Sequence, residues 1–410
     1  MNIMIINHYA GSPEMGMEFR PYYFAREWVK MGHRVDIIAA DYSHLRRVNP
    51  EVKRDFQEEI IDGIHYHWIK TARYDQNGVK RALSMIQFVG KLWVHTKKII
   101  KEMSPDAVIC SSTYPLDTYV GQRIRRKSRK RVKLVHEVHD MWPISPIEIG
   151  GMSPKHPFIQ VMQMAENSFC KKSDVVVSLL PAAKKYFVRH GMRPDKFVHI
   201  PNGIVLEEWT ANGENIPKPM AEHFKKNQEA GKFNLCFFGS IHKTYNLDLL
   251  IETVIKMNVA DILAVTFVGP GHDKAELMQM CKGYEDIFTF FDPINKNAIP
   301  DLFHYIDATF VGAKSQKIFR FGICMNKLFD AMMGGKPILY MVEAPNNYVE
   351  DYKCGITIKG NNIQALQRGI LELLNLNDGQ KKQMGENGMH AVEKYFNYYS
   401  LARRFEEVLL

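Results

Sequence analysis

Two stretches of this chain repeat one alternation: a short apolar run, a helical stretch closed by a polar or glycine turn, then another apolar run. In the first stretch, residues 3–10 (IMIINHYA) precede a helical segment at 20–32. Apolar runs follow at 34–40 (RVDIIAA), 107–113 (AVICSST), 133–140 (KLVHEVHD) and 174–180 (DVVVSLL), and 197–204 (FVHIPNGI) closes the half. The second stretch restarts at 233–240 (FNLCFFGS), with a helix over 247–257, then 263–270 (LAVTFVGP), a helix over 273–282 and 287–293 (IFTFFDP). It continues with 307–313 (DATFVGA), a helix over 327–334 and 337–342 (PILYMV). Strands alternating with helices predict parallel sheets covered on both faces. The chain therefore reads as α/β, with two doubly wound domains over 1–205 and 206–394. A polar segment at 211–232 serves as linker and lead-in helix, and a final helix at about 395–410, with no strand after it, is free to pack back onto the first domain. Doubly wound sheets bind ligands beyond the carboxyl ends of their strands. Two of them facing a central cleft would present donor and acceptor from opposite walls, which suits group transfer.

The 410 residues, 46% apolar and 24% charged, are enough for two or three buried cores and exclude disorder, collagen and a small disulfide scaffold. No run approaches the ~18–20 apolar residues of a membrane-spanning helix, and residues 1–6 lack the basic start of a secretory signal. The cysteines at 110, 170, 236, 281, 324 and 354 form no C-x-x-C pair and read as reduced cytoplasmic thiols. Charge is uneven. Residues 1–205 hold 32 Lys and Arg against 20 Asp and Glu, and the remainder 22 against 25. The excess concentrates in 123–133 (RIRRKSRKRVK), where eight of eleven residues are basic. Upstream, 85–101 (MIQFVGKLWVHTKKIIK) reads as one amphipathic helix carrying Trp93 and four lysines. The plain readings are a solvated face for the first and a core-facing helix for the second. Together they also predict an anionic membrane surface as partner, and a peripheral protein on the inner face of the cytoplasmic membrane. Nothing resembles a zinc finger or an aromatic RNA-binding signature, so no nucleic-acid partner is expected.

The residues that carry chemistry sit at the predicted strand ends. Gly11-Ser-Pro-Glu14-Met-Gly16-Met17 follows the first strand and permits close backbone approach to phosphate, although many such turns carry glycine for geometry alone. It is not G-x-G-x-x-G, and no acid ends the second strand, which argues against a nicotinamide enzyme. His139 and Asp140 end the strand at 133–140, before Met141-Trp142-Pro143. A strand-end histidine suits proton or hydrogen-bond transfer near neutral pH, and equally a satisfied structural role. His136 and His139, three apart on a strand, point to opposite faces and so share no metal. Gly239-Ser240 repeats the glycine turn in the second half, with Lys243 following as a further charge or a solvated side chain. The densest constellation is 321–337, FGICMNKLFDAMMGGKP. Asn326 reads as an N-cap, Lys327 as first-turn, and Asp330 as one turn later on the same face. The pair suits a diphosphate and the hydroxyls of a ribose, or forms a surface i,i+3 ion pair.

In order and spacing, Gly16, His139-Asp140 with Trp142-Pro143, Pro201-Asn202-Gly203, Gly239, Lys327 and Asp330-Ala-Met-Met-Gly-Gly-Lys-Pro337 resemble the retaining glycosyltransferases of the group 1 (family 4) type, with the GT-B fold of two Rossmann-like domains. The NKLFDAMMGGKP variant is similar to a branch that builds bacterial capsule and O-antigen, including transferases for N-acetylated deoxyhexosamines such as fucosamine. The resemblance implies a nucleotide-sugar donor, UDP-linked by similarity to that branch, and a lipid-linked or oligosaccharide acceptor. It implies no metal or other cofactor. Gly16, Gly239, Ser240, Lys243 and Lys327 would meet the diphosphate and Asp330 the ribose. Main chain at Pro293 and Ile294 would meet the base, and Gly322 and Ile323 the sugar. His139 and Lys327 would be catalytic, and Glu14, Arg20, Asp140 and Trp142 would lie on the acceptor side. The chain departs from the family where many members have Arg and Lys after the glycine of the second-domain loop: here Ser240 and Tyr245 stand there. Where many have Glu, eight residues before the ribose carboxylate, this chain has Gly322. Other readings are a nucleotide-sugar 2-epimerase of the same fold and a non-catalytic scaffold of a polysaccharide complex.

Overall fold

The computed structural model describes residues 1–16, 19–74, 78–210 and 215–410; Met17, at the end of the first glycine loop, and 211–214, at the start of the expected linker, lie outside them. The chain divides into two compact units, Met1–Pro201 with Tyr398–Leu410, and Asn202–Asn397.

The first unit holds eight strands: β1 (Asn2–Ile6), β2 (Arg34–Ala40), β3 (Gln57–Ile61), β4 (Ile64–Ile69), β5 (Ala107–Cys110), β6 (Lys133–Val138), β7 (Val175–Ser178) and β8 (Phe197–His199). Their order is β3-β4-β2-β1-β5-β6-β7-β8. Every pairing is parallel except β3 with β4, an antiparallel hairpin at the edge that the sequence pattern does not announce. Glu58 and Glu59 on β3 are exposed, so this edge presents charge rather than a bare ladder. β1 lies inside the sheet, and Ile3, Met4, Ile5 and Ile6 are all buried because both faces are covered. Burying each such side chain contributes about 1.5–3 kcal/mol.

On one face lie α2 (Val79–Val94), α3 (Thr96–Met103) and α4 (Thr118–Lys127), placing Phe88, Leu92, Ile99 and Ile124 against Met4, Ile6, Val108 and Leu134. The single helix expected over 85–101 is thus two, broken at His95. The Thr96 hydroxyl donates to the carbonyls of Leu92 and Trp93, a back-bond that bends a helix. On the other face α1 (Phe19–Lys30) meets the helix Tyr398–Leu409. The Trp28 indole donates to the Ala402 carbonyl at 3.1 Å, and the rings of Phe24 and Trp28 pack edge-on against Phe405.

The second unit is a six-stranded, wholly parallel sheet: β9 (Phe233–Phe238), β10 (Leu263–Val268), β11 (Phe288–Phe291), β12 (Ala308–Gly312), β13 (Ile338–Met341) and β14 (Gly355–Thr357), ordered β11-β10-β9-β12-β13-β14. The chain winds outward from β9 one way and then returns to β12 on its other side. The switch point therefore lies between the ends of β9 and β12, as it lies between β1 and β5 in the first unit. Both units are Rossmann-like α/β domains with parallel sheets.

Candidate active site

At the second unit's switch point the backbone turns at Gly239, φ +115°, a conformation L side chains rarely adopt. A Cβ there would stand 3.3 Å from the Lys327 ammonium, so the glycine turn and the lysine meet. Lys327 is on the first turn of the helix Asn326–Met333. Its Nζ is buried and has no hydrogen-bond partner in the protein. It faces two aromatic rings instead, 3.6 Å from the centre of Tyr245 and 4.4 Å from that of Phe237. Burial lowers the lysine's pKa to about 7. Asp330, one turn on, is half-buried, and its carboxyl is pushed up to about 6 by burial, against the pull of Lys296. No ion pair joins Lys327 to Asp330 among the described residues, so the i,i+3 pair is not formed. Each group is held in an environment that disfavours its charge, and each would be relieved by a partner of complementary chemistry.

Asn326 is not the cap of this helix. The N-cap residue is Met325, with no side-chain bond, and the Asn326 side-chain oxygen accepts from the Asn202 amide at 2.8 Å. Asn202 also donates its backbone N–H to the Cys324 sulfur. Asn202 therefore fixes the start of the Lys327 helix, a role visible only in three dimensions.

Other donor-side expectations are redirected. Lys243 pairs with Glu276, and its backbone N–H donates to Asp273, so its charge is answered within the protein. Ser240 is half-buried just past the turn. The amides expected to meet the sugar are spent: Gly322 N–H donates to the Phe319 carbonyl, and Ile323 N–H and C=O both bond the Asn346 side chain. Gly322 has φ +104° and ψ 177°, which explains why no glutamate stands there: the backbone would have to change first. Pro293 is exposed and Ile294 packs on the core, both in the loop after β11, two strands from β9.

In the first unit, two expected residues meet through one the sequence reading passed over. Glu137 is buried, and its carboxylate accepts from the Arg20 guanidinium at 2.9–3.0 Å. It also accepts from the Ser111 hydroxyl at 2.6 Å and lies 3.1 Å from His139 Nε2. Burial alone would raise its pKa, but Arg20, then His139 and Ser111, hold it well below the usual carboxylate range. The ionised carboxylate thereby fixes the proton of His139 on Nε2. Arg20, expected on the acceptor side, is itself buried and donates to the carbonyls of Ile200 and Pro201, so it braces the end of this unit. Asp140 accepts from the Met141 N–H and the Ser145 hydroxyl, turned into its own loop. Trp142 is half-buried, its ring edge-on to Phe158. Glu14 is exposed beside Gly16, whose φ of +79° closes a short turn; a Cβ there would press on the Arg47 side chain at 2.9 Å.

One buried trio, Cys110, Asp117 and His136, brings metal-ligand atoms within 4.8 Å of one another. Burial drives the Asp117 carboxyl up to about 7, the Cys110 thiol up and the His136 imidazole down to about 3. For the acid and the thiol this favours the protonated form, the opposite of what a metal requires.

The model for glycosyltransferase family 4 matches residues 15–208, and that for glycosyl transferases group 1 matches residues 220–391, which contain the Gly239–Lys327–Asp330 constellation. Both halves of the chain thus carry glycosyltransferase domains, family 4 in the first and group 1 in the second. An uncharacterized glycosyltransferase of Methanocaldococcus jannaschii is 24% identical over 241 residues, a match spanning 58% of this chain and 58% of that relative. Among solved structures, sucrose-phosphate synthase from Thermosynechococcus elongatus is similar at 15% identity and TM-score 0.69, over 99% of this chain and 97% of that one. The Anabaena protein HepE, solved with UDP and glucose, is similar at 15% identity and TM-score 0.64, over 100% and 99%. WaaG, a glycosyltransferase of lipopolysaccharide biosynthesis, is similar at 16% identity and TM-score 0.62, over 99% of each chain. At such identities the likeness is one of fold, and the fold is that of the GT-B glycosyltransferases. No helix among the described residues is long and apolar enough to cross a membrane.

Proposed function

We propose that this glycosyltransferase moves a sugar from a UDP-linked donor, with retention of anomeric configuration and without a metal, to a lipid-linked or oligosaccharide acceptor. The sugar class is a hexosamine or deoxyhexosamine, and the setting is bacterial surface polysaccharide synthesis at the inner face of the cytoplasmic membrane. The observation that carries the reading is the Lys327 ammonium, buried and unpartnered against Gly239 at the switch point. A diphosphate there would answer its charge, and the first-turn amides of its helix would add positive potential. Asp330 accepts the ribose hydroxyls. In the reaction the bond from the anomeric carbon to the β-phosphate oxygen breaks, and the acceptor oxygen bonds that carbon from the same face. The acceptor proton passes to a donor phosphate oxygen. Lys327 stabilises the departing diphosphate, and this electrostatic contribution is the main one the protein makes. UDP in the HepE structure and the lipopolysaccharide role of WaaG support the choice of nucleotide and pathway by likeness of fold.

The test is a thermal-shift panel of nucleoside diphosphates and their sugars, with and without Mg²⁺, on the native protein, Lys327→Ala and Asp330→Asn. A metal-independent rise in melting temperature with uridine ligands, lost in both variants, is expected. Absence of any shift overturns the donor site. A shift without turnover on any saccharide acceptor marks a scaffold, and release of an epimerised sugar without acceptor marks an epimerase.

A further inference from the structure

Helix α2 has apolar residues on two opposite faces. Met85, Phe88 and Leu92 are buried under the sheet. On the side away from the core, Val79, Leu83, Ile86, Trp93 and Val94 form a single stripe at helical spacing. Their exposures run from 39% at Trp93 to 87% at Val79. A surface helix normally turns polar side chains outward, and a continuous apolar stripe in contact with solvent marks an interaction site.

The stripe runs into a basic hollow. A cavity of about 470 Å³ between α2, α4 and the helix Pro157–Lys172 is lined by Trp93, Tyr119, Arg123, Arg125, Arg126 and Lys172. The Arg123 guanidinium stacks 4.3 Å over the Trp93 ring, and its Nε is buried with no hydrogen-bond partner. Arg125 is paired with Asp174 at 3.2 Å, but no carboxylate answers Arg123, Arg126, Lys127 or Arg129 among the described residues. The field is strong enough that Arg123, with Lys97 and Arg126, lowers the pKa of the Lys127 ammonium.

We infer that α2 and this cavity form a docking face for an anionic phospholipid bilayer, in which the apolar stripe enters the acyl boundary, Trp93 sits at headgroup level and Arg123 and Arg126 hold a lipid phosphate. The inference deepens the membrane part of the proposed function and rests on nothing in the donor site. Charge decides the occupant: an apolar stripe bordered by unanswered guanidinium groups matches a surface that is apolar inside and anionic at its rim. An uncharged protein groove would leave the arginines unpaired.

The experiment is sedimentation with vesicles of phosphatidylglycerol in phosphatidylcholine, and of phosphatidylcholine alone, at low and high salt. Binding to the anionic vesicles only, weakened by salt and accompanied by a blue shift of Trp93 fluorescence, is expected. The double variant Ile86→Asp, Val94→Asp and the double variant Arg123→Ser, Arg126→Ser should each weaken vesicle binding at least tenfold. Their melting temperatures and nucleotide-induced shifts should stay as in the native protein. Native protein that ignores anionic vesicles overturns the proposal, whatever the nucleotide panel shows. Inorganic phosphate or glycerol phosphate that displaces the vesicles, with the aspartate variants binding like the native protein, makes the cavity a soluble-phosphate site and also overturns it. Retention of single-stranded RNA in preference to vesicles does the same.

Discussion

The two switch points differ in how their polar groups are satisfied. In the first unit, Asn7 and His8 after β1 bond Ser111 and Ser112 after β5, and Ser111 continues through Glu137 to Arg20 and His139. Six side chains and the His8 backbone N–H thereby tie these strand ends to α1, and the charge of Glu137 is matched on the spot. In the second unit, the equivalent position holds an ammonium that touches only ring faces and a carboxyl that burial has pushed toward its neutral form. A closed hydrogen-bond network stabilises a fold. An ammonium without a protein partner and a carboxyl answered only by the pull of Lys296 lower stability and gain it back when ligand binds.

Substitutions should separate the two sites. Arg20→Ala leaves the buried Glu137 charge without its guanidinium, and should cost about 3–5 kcal/mol of stability, read as a large drop in melting temperature. Adding Glu137→Gln should recover part of it. Lys327→Met should lower kcat/KM by about 10²–10³ while the ligand-free protein melts no lower than the native one. A melting temperature that falls as it does for Arg20→Ala would show that Lys327 is structural. A pH series sharpens the point. Because the Lys327 pKa is lowered to about 7 in the folded state, against about 10.4 unfolded, the unfolded chain binds more protons between these values. Stability from this group therefore rises as pH climbs from about 7 toward 10, and the rise should vanish in Lys327→Met. For kcat/KM, donor capture needs Asp330 ionised and Lys327 charged, so the profile should be bell-shaped with limbs near 6 and 7. The Asp330→Asn variant should lose the acid limb and raise the donor KM about tenfold, as expected for one charge-assisted hydrogen bond. The smallest effect belongs to Tyr245. Tyr245→Leu removes the ring under the ammonium, a contact worth about 1 kcal/mol, and should weaken donor binding by about fivefold, with Tyr245→Phe unchanged.

Much of the architecture was legible because the alternation of apolar runs and helices is local. The helix at 247–257 and the strand at 34–40 have the bounds their residues suggest. Misreadings trace to forces that are not local. Gln57-Glu-Glu-Ile-Ile61 has no clean alternation, yet it pairs as an edge strand because β4 offers it a partner. Asn326 looks like a cap, but its side chain is taken by Asn202, 124 positions away. Arg20 is expected on the acceptor side, and its pairing with Glu137 goes unread because Glu137 is 117 positions away in the chain. At the donor site, Gly239, Lys327 and Asp330 were legible as residue types in a spacing. That Tyr245, a departure from the family pattern, lies beneath the Lys327 ammonium was not, because that contact joins a turn and a helix far apart in sequence.

The helix Tyr398–Leu409 carries a consequence for how the molecule is made. It supplies the cover for Trp28 and Phe24 of α1 but leaves the ribosome only after the whole of Asn202–Asn397 has been synthesised. Until then the outer side of α1 is uncovered, with Trp28 and Phe24 in contact with solvent, while the second unit has every strand it needs. The unit that begins synthesis first is thus the one that finishes folding last, and for that interval its exposed aromatic face is the nascent chain's main point of vulnerability to aggregation.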